Sequence, residues 1–264
     1  RSPGSAPFRE RCSRAALVVL WHSIGVQRVA ALSHMPPLQI AHSDLARFGK
    51  SWQDNGQRLS RTPPQSSGEL GKLFENAVGA ALATLLGGVP IVTPSATTRI
   101  PQQPDCVEIG PVRIVGGVRP QNFDVGYRPD GVRFAFDSKT LNDQDSIGKN
   151  WQNMINDLAT EATTVHSRFP HTVVAFMVIC PSPCMSIAHG KAMTETLERL
   201  ARRTAVDGPL YMAEAISLVL WNPYTGTIEP NSPPETSPLR IERFSEQVEN
   251  AYVGRYKGLP PHTE

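Results

Sequence analysis

The stretch Asn122-Phe-Asp-Val-Gly-Tyr-Arg-Pro-Asp-Gly-Val-Arg-Phe-Ala-Phe-Asp-Ser-Lys139 reads as two short strands, Asn122–Tyr127 and Val132–Lys139, joined by a turn at Arg128-Pro129-Asp130-Gly131. Proline presets φ and glycine tolerates positive φ, so Pro followed by Asp-Gly is turn chemistry. Along the second strand the side chains alternate. Val132, Phe134, Phe136 and Ser138 face one way, and Arg133, Ala135, Asp137 and Lys139 face the other. A two-residue loop at Pro129-Asp130 pairs Gly126 with Arg133 and Asp124 with Ala135, which puts Asp124 on the face of Asp137 and Lys139. A four-residue loop keeps that parity; a three-residue loop without a bulge does not. The hairpin is therefore expected to gather two carboxylates and an amine on one side of a sheet. Diagonal neighbours of this kind lie about 7–8 Å apart. Two carboxylates so placed can share a divalent cation through oxygen, and a lysine beside it can hold or deprotonate a water. The plain alternative is a surface hairpin with a solvated Asp–Lys pair.

Upstream, Ser67 to Leu86 has the pattern of a helix, with Ser66 or Ser67 as cap and Glu69 placed to return the capping-box bond. Its apolar stripe runs through Leu70, Phe74, Val78, Leu82 and Leu85, Glu75 falls at the stripe's edge, and Gly87-Gly88 end it. A Pro/Gly-rich connector follows, with short strands expected at Pro90–Thr93 and Val112–Gly116 and with Arg99, Arg113 and Arg119 along it. Downstream, a helix is expected from about Ser146 to His166, with Ile147, Trp151, Met154, Ile155, Leu158, Ala162 and Val165 as its core stripe. Thr172–Cys180 is a nearly continuous apolar run, the mark of a strand buried on both faces. Strand, helix and strand in that order imply a parallel, right-handed crossover. A helix at Lys191–Arg203, a strand at Ala215–Trp221, a Pro/Ser-rich loop and a last short helix at Ile241–Tyr252 complete the reading. The fold class is α/β, a mixed central sheet with helices on both faces.

The chain of 264 residues, 40% hydrophobic, suffices for one such domain with appendages. Net charge is only +2, so no global basic field announces a nucleic acid. The distribution is uneven: residues 1–66 carry nine Lys/Arg against three Asp/Glu, and the remainder seventeen against twenty-one. Residues 1–66 read as a basic, largely extended arm, with one short helix at Ser43–Lys50 and with Arg47, Lys50, Arg58 and Arg61 able to meet phosphates. Met35 is expected to be a native start and residues 1–34 an extension; the apolar run Ala15–Trp21 is far shorter than the ~20 residues a membrane span needs. No membrane partner is expected. The four cysteines, Cys12, Cys106, Cys180 and Cys184, are too scattered for a disulfide framework and point to a reducing cytoplasm. Cys180 and Cys184 with His189 lack a fourth ligand for zinc, so buried, inert thiols are the better expectation. Phosphate-binding glycine loops, dinucleotide fingerprints and a nucleophile-elbow triad are absent from the sequence.

Asp124 followed, after a spacer of twelve residues, by Asp137-Ser138-Lys139 resembles the active-site motif of the PD-(D/E)XK nuclease superfamily, the fold of many type II restriction endonucleases. Phe123 stands where the motif's name has proline. The order of elements over residues 67–222 resembles that family's core, leaving 223–264 as a C-terminal loop and short helix. The resemblance implies a Mg²⁺-dependent endonuclease acting on double-stranded DNA, with Mn²⁺ able to substitute, working as a homodimer in a bacterial or archaeal cytoplasm. Asp124 and Asp137 would bind the metal with the Ser138 carbonyl as a further ligand, and Lys139 would position or activate the attacking water. Such nucleases commonly carry an acid on the first core helix, which selects Glu75, with Glu69 second. Lys149, Asn150 and Gln152, early on the helix after the catalytic strand, are candidates for DNA phosphates. A DNA-repair or phage-defence nuclease of the same fold is the close alternative. A non-catalytic nucleic-acid-binding subunit on that scaffold is the distant one.

Overall fold

The computed structural model describes residues 31–95 and 100–262. Cys12, Ala15–Trp21 and Arg99 lie outside the described residues. Two helices, α1 (His42–Asp54) and α2 (Ser67–Leu85), precede the sheet. The strands are β1 (Ile91–Val92), β2 (Val107–Val115), β3 (Pro120–Tyr127), β4 (Phe134–Thr140), β5 (Val173–Pro181), β6 (Ala215–Asn222) and β7 (Thr227–Ile228). They lie across one mixed sheet in chain order. β2, β3 and β4 are antiparallel neighbours, and β4, β5 and β6 are parallel. The parallel steps are made through α3 (Gln144–His166) and α4 (Ile187–Leu200), and α5 (Ile241–Tyr256) closes the chain.

β5 is buried at every one of its nine positions, so it must be covered from both sides. Side-chain alternation along β4 identifies what covers each face. Phe136 meets Phe244 of α5 edge-on at 5.9 Å, and Ser138, on the same face, meets Glu75 of α2. Lys139, on the opposite face, meets Glu161 of α3, against which α4 packs. Helices therefore flank the sheet on both faces. Among the described residues, no helix is long and apolar enough to cross a membrane.

Several local expectations are refined. α2 is capped by Ser66, whose hydroxyl accepts from Glu69 N, but the Glu69 side chain turns instead to Lys72 Nζ at 2.6 Å. α3 begins earlier than Ser146: Asp143 is the cap and Ser146 closes a reciprocal capping box with it. α4 starts at Ile187, capped by Ser186, rather than at Lys191. α1 is longer than Ser43–Lys50, because Leu45, Phe48, Gly49 and Trp52 form an i, i+3, i+4, i+7 face that is buried in the core. Leu59 and Met35 are buried too, so the N-terminal segment packs rather than trails. Residues 31–34 join it, with Ser33 N donating to Leu85 O and His34 pairing with Glu249. At the other end Phe244, Val248 and Tyr252 of α5 are fully buried, making the C-terminal helix a wall of the core.

Candidate active site

The site is built where β3 and β4 part. Their ladder runs Tyr127 to Phe134, Gly126 to Ala135 and Val125 to Phe136, and stops. β4 continues to Thr140 against β5, while β3 continues back to Pro120 against β2. On the β2 side the register shifts between Ile109 and Val112, so Gly110-Pro111 form a bulge opposite Asp124. Gly110 takes φ +128°, a conformation that favours glycine, and proline withholds a ladder donor. Asp124 is thereby left out of both ladders at the mouth of a notch. Bulges re-aim side chains in this way. The pairing differs from the sequence expectation by two residues: Gly126 faces Ala135, and the connection spans residues 128–133. A shift of two preserves parity, so Asp124 comes to stand beside Asp137 rather than Ala135.

Across the notch, Asp124 Oδ2 accepts from Ser138 N at 2.8 Å and from Ser138 Oγ at 3.0 Å. Ser138 Oγ also stands 3.2 Å from Glu75 Oε1. α2 can come this near because residue 71 is glycine; a Cβ there would lie 3.0 Å from Ser138 Oγ and 3.2 Å from Glu75 Oε1. The Asp124 and Asp137 carboxyl groups are close enough to share a proton. Lys139 Nζ is paired with Asp137 Oδ2 and, at 2.8 Å, with Glu161 Oε1. The structure thus brings together Glu75, Asp124, Asp137, Ser138 and Lys139, and adds Glu161. Glu69 stays outside, paired with Lys72. Lys149 and Gln152 are exposed on α3 and line no part of the cleft beside the notch, whereas Asn150 does.

Glu161 is the residue that sequence reasoning passed over. It is 4% exposed, and it lies within the apolar stripe of α3, among Leu158, Ala162 and Val165. A glutamate in such a stripe is almost never buried without a partner, and that was the available signal.

Electrostatics follow from this crowding. Burial, then the Asp124 charge, pushes Glu75 up to about 7. Burial, then Asp137, pushes Asp124 up to about 7. Burial raises Asp137 to about 6, Lys139 pulling it down and Glu161 pushing it up. Burial works against the Lys139 ammonium, but Asp137 and Glu161 outweigh it and hold the amine protonated well above its ordinary range. Three carboxyl groups with raised affinity for protons and a single nearby ammonium form a site short of positive charge.

That shortage bears on the expected metal. Among the described residues, no three His, Cys, Asp or Glu side chains are grouped at metal-ligand spacing. Lys139 caps Asp137 and Ser138 caps Asp124, so a cation would have to displace those contacts. The donors themselves are carboxylate oxygens, the type that hard divalent ions such as Mg²⁺ take. Their mutual repulsion is the charge such an ion would neutralise. The residues fit the ion in chemistry and in charge. The thiols take no part: Cys106, Cys180 and Cys184 are buried and free, and burial pushes Cys184 up to about 11.

Comparison of the chain with protein-family models, curated proteins and solved structures returned no match. Function must therefore be argued from the site.

A first expectation concerns pH. In the unfolded chain the three carboxyl groups titrate near 4, whereas in the fold they hold protons to about 7, 7 and 6. Between pH 4 and 7 the folded state binds more protons than the unfolded one, so these groups make stability fall as pH rises. Melting of the protein in EDTA should occur at lower temperature at pH 8 than at pH 5.5, and Mg²⁺ or Mn²⁺ should restore part of the loss at pH 8. A melting temperature that rises across this window, with no response to metal, would contradict the charge shortage.

Proposed function

We propose that the protein is a Mg²⁺-dependent endonuclease that hydrolyses phosphodiester bonds of double-stranded DNA, of the type II restriction kind. The observation that carries this reading is the convergence of Asp124, Asp137 and Glu75 with Lys139 at one notch. Mere binding to a polyanion gains nothing from three clustered carboxylates, which repel it. Hydrolysis of a phosphodiester does gain from a site that recruits a divalent ion.

Asp124 and Asp137 would hold the ion, Glu75 would complete or orient its shell through Ser138, and the Ser138 carbonyl remains a further donor. A bound divalent ion lowers the pKa of water and offsets charge on the phosphoryl oxygens. The roles of the chain's own groups follow from the contacts. Ser138 orients Asp124 through two hydrogen bonds. Glu161 holds Lys139 at the notch from the α3 side. An ion on Asp137 leaves Lys139 its contact with Glu161, so the amine keeps a carboxylate partner and its role is to orient water and donate to developing negative charge. Of the two roles expected for the lysine, this favours positioning over taking the water's proton. Water oxygen bonds to phosphorus as the bond from phosphorus to the leaving oxygen breaks; the water's proton passes to solvent and the leaving oxygen takes one from solvent. The type II reading brings a second copy of the chain, so that both strands are cut, and a reducing cytoplasm.

Digestion of a mixed-sequence plasmid tests the reading. Mg²⁺ or Mn²⁺ should support cutting at discrete sites and EDTA should abolish it. Ca²⁺ should support binding with little cleavage, since its looser coordination occupies carboxylates without aligning water and phosphate. Full cleavage in EDTA would overturn the mechanism. Cutting confined to ends, junctions or single strands would favour a repair or defence nuclease.

A further inference from the structure

Beside the notch lies a cleft of about 510 Å³ whose walls include Thr140, Arg58, Arg61, Ser67 and Ser146. It adjoins the carboxylate cluster directly. A Cβ on Gly71 would lie within 4.0 Å of Thr140 Cγ2 as well as of Ser138 Oγ and Glu75 Oε1. Ser67 is the first residue of α2, and Ser146 lies in the first turn of α3, so two helix N-termini open on the same space. The acid in the lining, Asp143, is occupied as the α3 cap, its Oδ1 accepting from Ser146 N at 2.7 Å.

The two arginines distinguish this cleft. Some exposed cations are paired with acids, as Arg47 is with Asp44 and Lys50 with Asp54. Arg58 and Arg61 have no hydrogen-bond or ion-pair partner among the described residues. The segment bearing them is nonetheless anchored. Trp52 Nε1 donates to Asn142 O at 2.9 Å, Leu59 is buried, and Ser67 N donates to Ser60 O at 3.3 Å. Two unpaired guanidinium groups are thus held over the C-terminal end of β4. An anionic strand approaching three carboxylates needs positive charge close by, and the planar fork of arginine matches phosphate oxygens.

We propose that this cleft binds the phosphodiester backbone of the strand lying across the notch, with Arg58 and Arg61 gripping phosphates next to the one attacked. The inference rests on the nuclease reading and gives the strand its path. The helix N-termini add favourable partial charge at the same place.

The test compares the wild-type chain with Arg58→Gln/Arg61→Gln and with a control of equal charge loss on and just beyond α4, Arg199→Gln/Arg202→Gln. Binding to a duplex oligonucleotide is followed by fluorescence anisotropy over a salt series, with Ca²⁺ in place of Mg²⁺. The cleft pair should weaken binding about tenfold or more and make the plot of log K against log salt shallower by about 1.8, at about 0.9 for each phosphate no longer neutralised. The control should change affinity by less than about twofold. If the wild type cuts DNA and the cleft variant binds with wild-type affinity and slope, the inference fails and the nuclease reading stands. Equal losses in both variants also overturn it, since only total charge would then matter. If wild type binds with this arginine dependence but never cuts, the cleft stands and the nuclease reading falls. A wild type that neither binds nor cuts overturns both.

Discussion

Lys139→Ala should slow phosphodiester cleavage by about a hundredfold or more, the usual scale for losing electrostatic or acid–base help, while duplex affinity changes far less. The amine is held between Asp137 and Glu161 and stays protonated, so what is lost is a fixed positive charge at the notch. The substitution has a second cost. Asp137 and Glu161 are buried, and Glu161 Oε2 already has no hydrogen-bond partner. Removing the shared cation should destabilise the fold by about 3 kcal/mol, the scale of breaking one side of a buried pair. Lys139→Ala/Glu161→Gln should recover part of that stability, because the amide needs no cation, and none of the activity. Single-turnover cleavage and thermal melting of the three proteins separate the two effects. A single variant with the wild-type melt and the wild-type rate would contradict both roles.

Asp124→Asn should lower cleavage by about a thousandfold and, in EDTA at pH 8, raise stability by about 1 kcal/mol or more. The amide oxygen can still accept from Ser138 N and Oγ, so the geometry of the notch survives. What disappears is a charge lodged against Asp137 and Glu75. Opposite signs for activity and stability are expected only of a site that stores repulsion for a function. The fall in melting temperature between pH 5.5 and pH 8 should also shrink in this variant. A variant that is both inactive and less stable than wild type at pH 8 would mark Asp124 as a structural acid.

The sheet was legible because its signals are local and repeated. Thr172–Cys180 could be buried only by covering both faces, and the stripes of α2 and α3 followed helical spacing. The face shared by Asp124, Asp137 and Lys139 was legible because it depends only on parity. The exact pairing was not, because its causes are distant in sequence. Arg133 is held outside the strand by the distant Pro260 carbonyl, and Arg128 by Glu108 on β2. No local rule places those partners. Gly110-Pro111 inside a strand was a readable sign of the bulge that frees Asp124, and Glu161 within an apolar stripe was a readable sign of a buried ion pair. The α1 face of Leu45, Phe48 and Trp52 was readable as well, but the surrounding basic and polar residues suggested an extended arm.

Among possible experiments, cleavage of duplex DNA by the wild type and by Asp137→Ala in Mg²⁺, with melting curves for both, bears most directly on the carboxylate notch as a hydrolytic centre. The account predicts divalent-dependent cutting by the wild type and none by a variant that is still folded. Cutting by folded Asp137→Ala at the wild-type rate, or a wild type that cuts no form of DNA with Mg²⁺ or Mn²⁺, would contradict it.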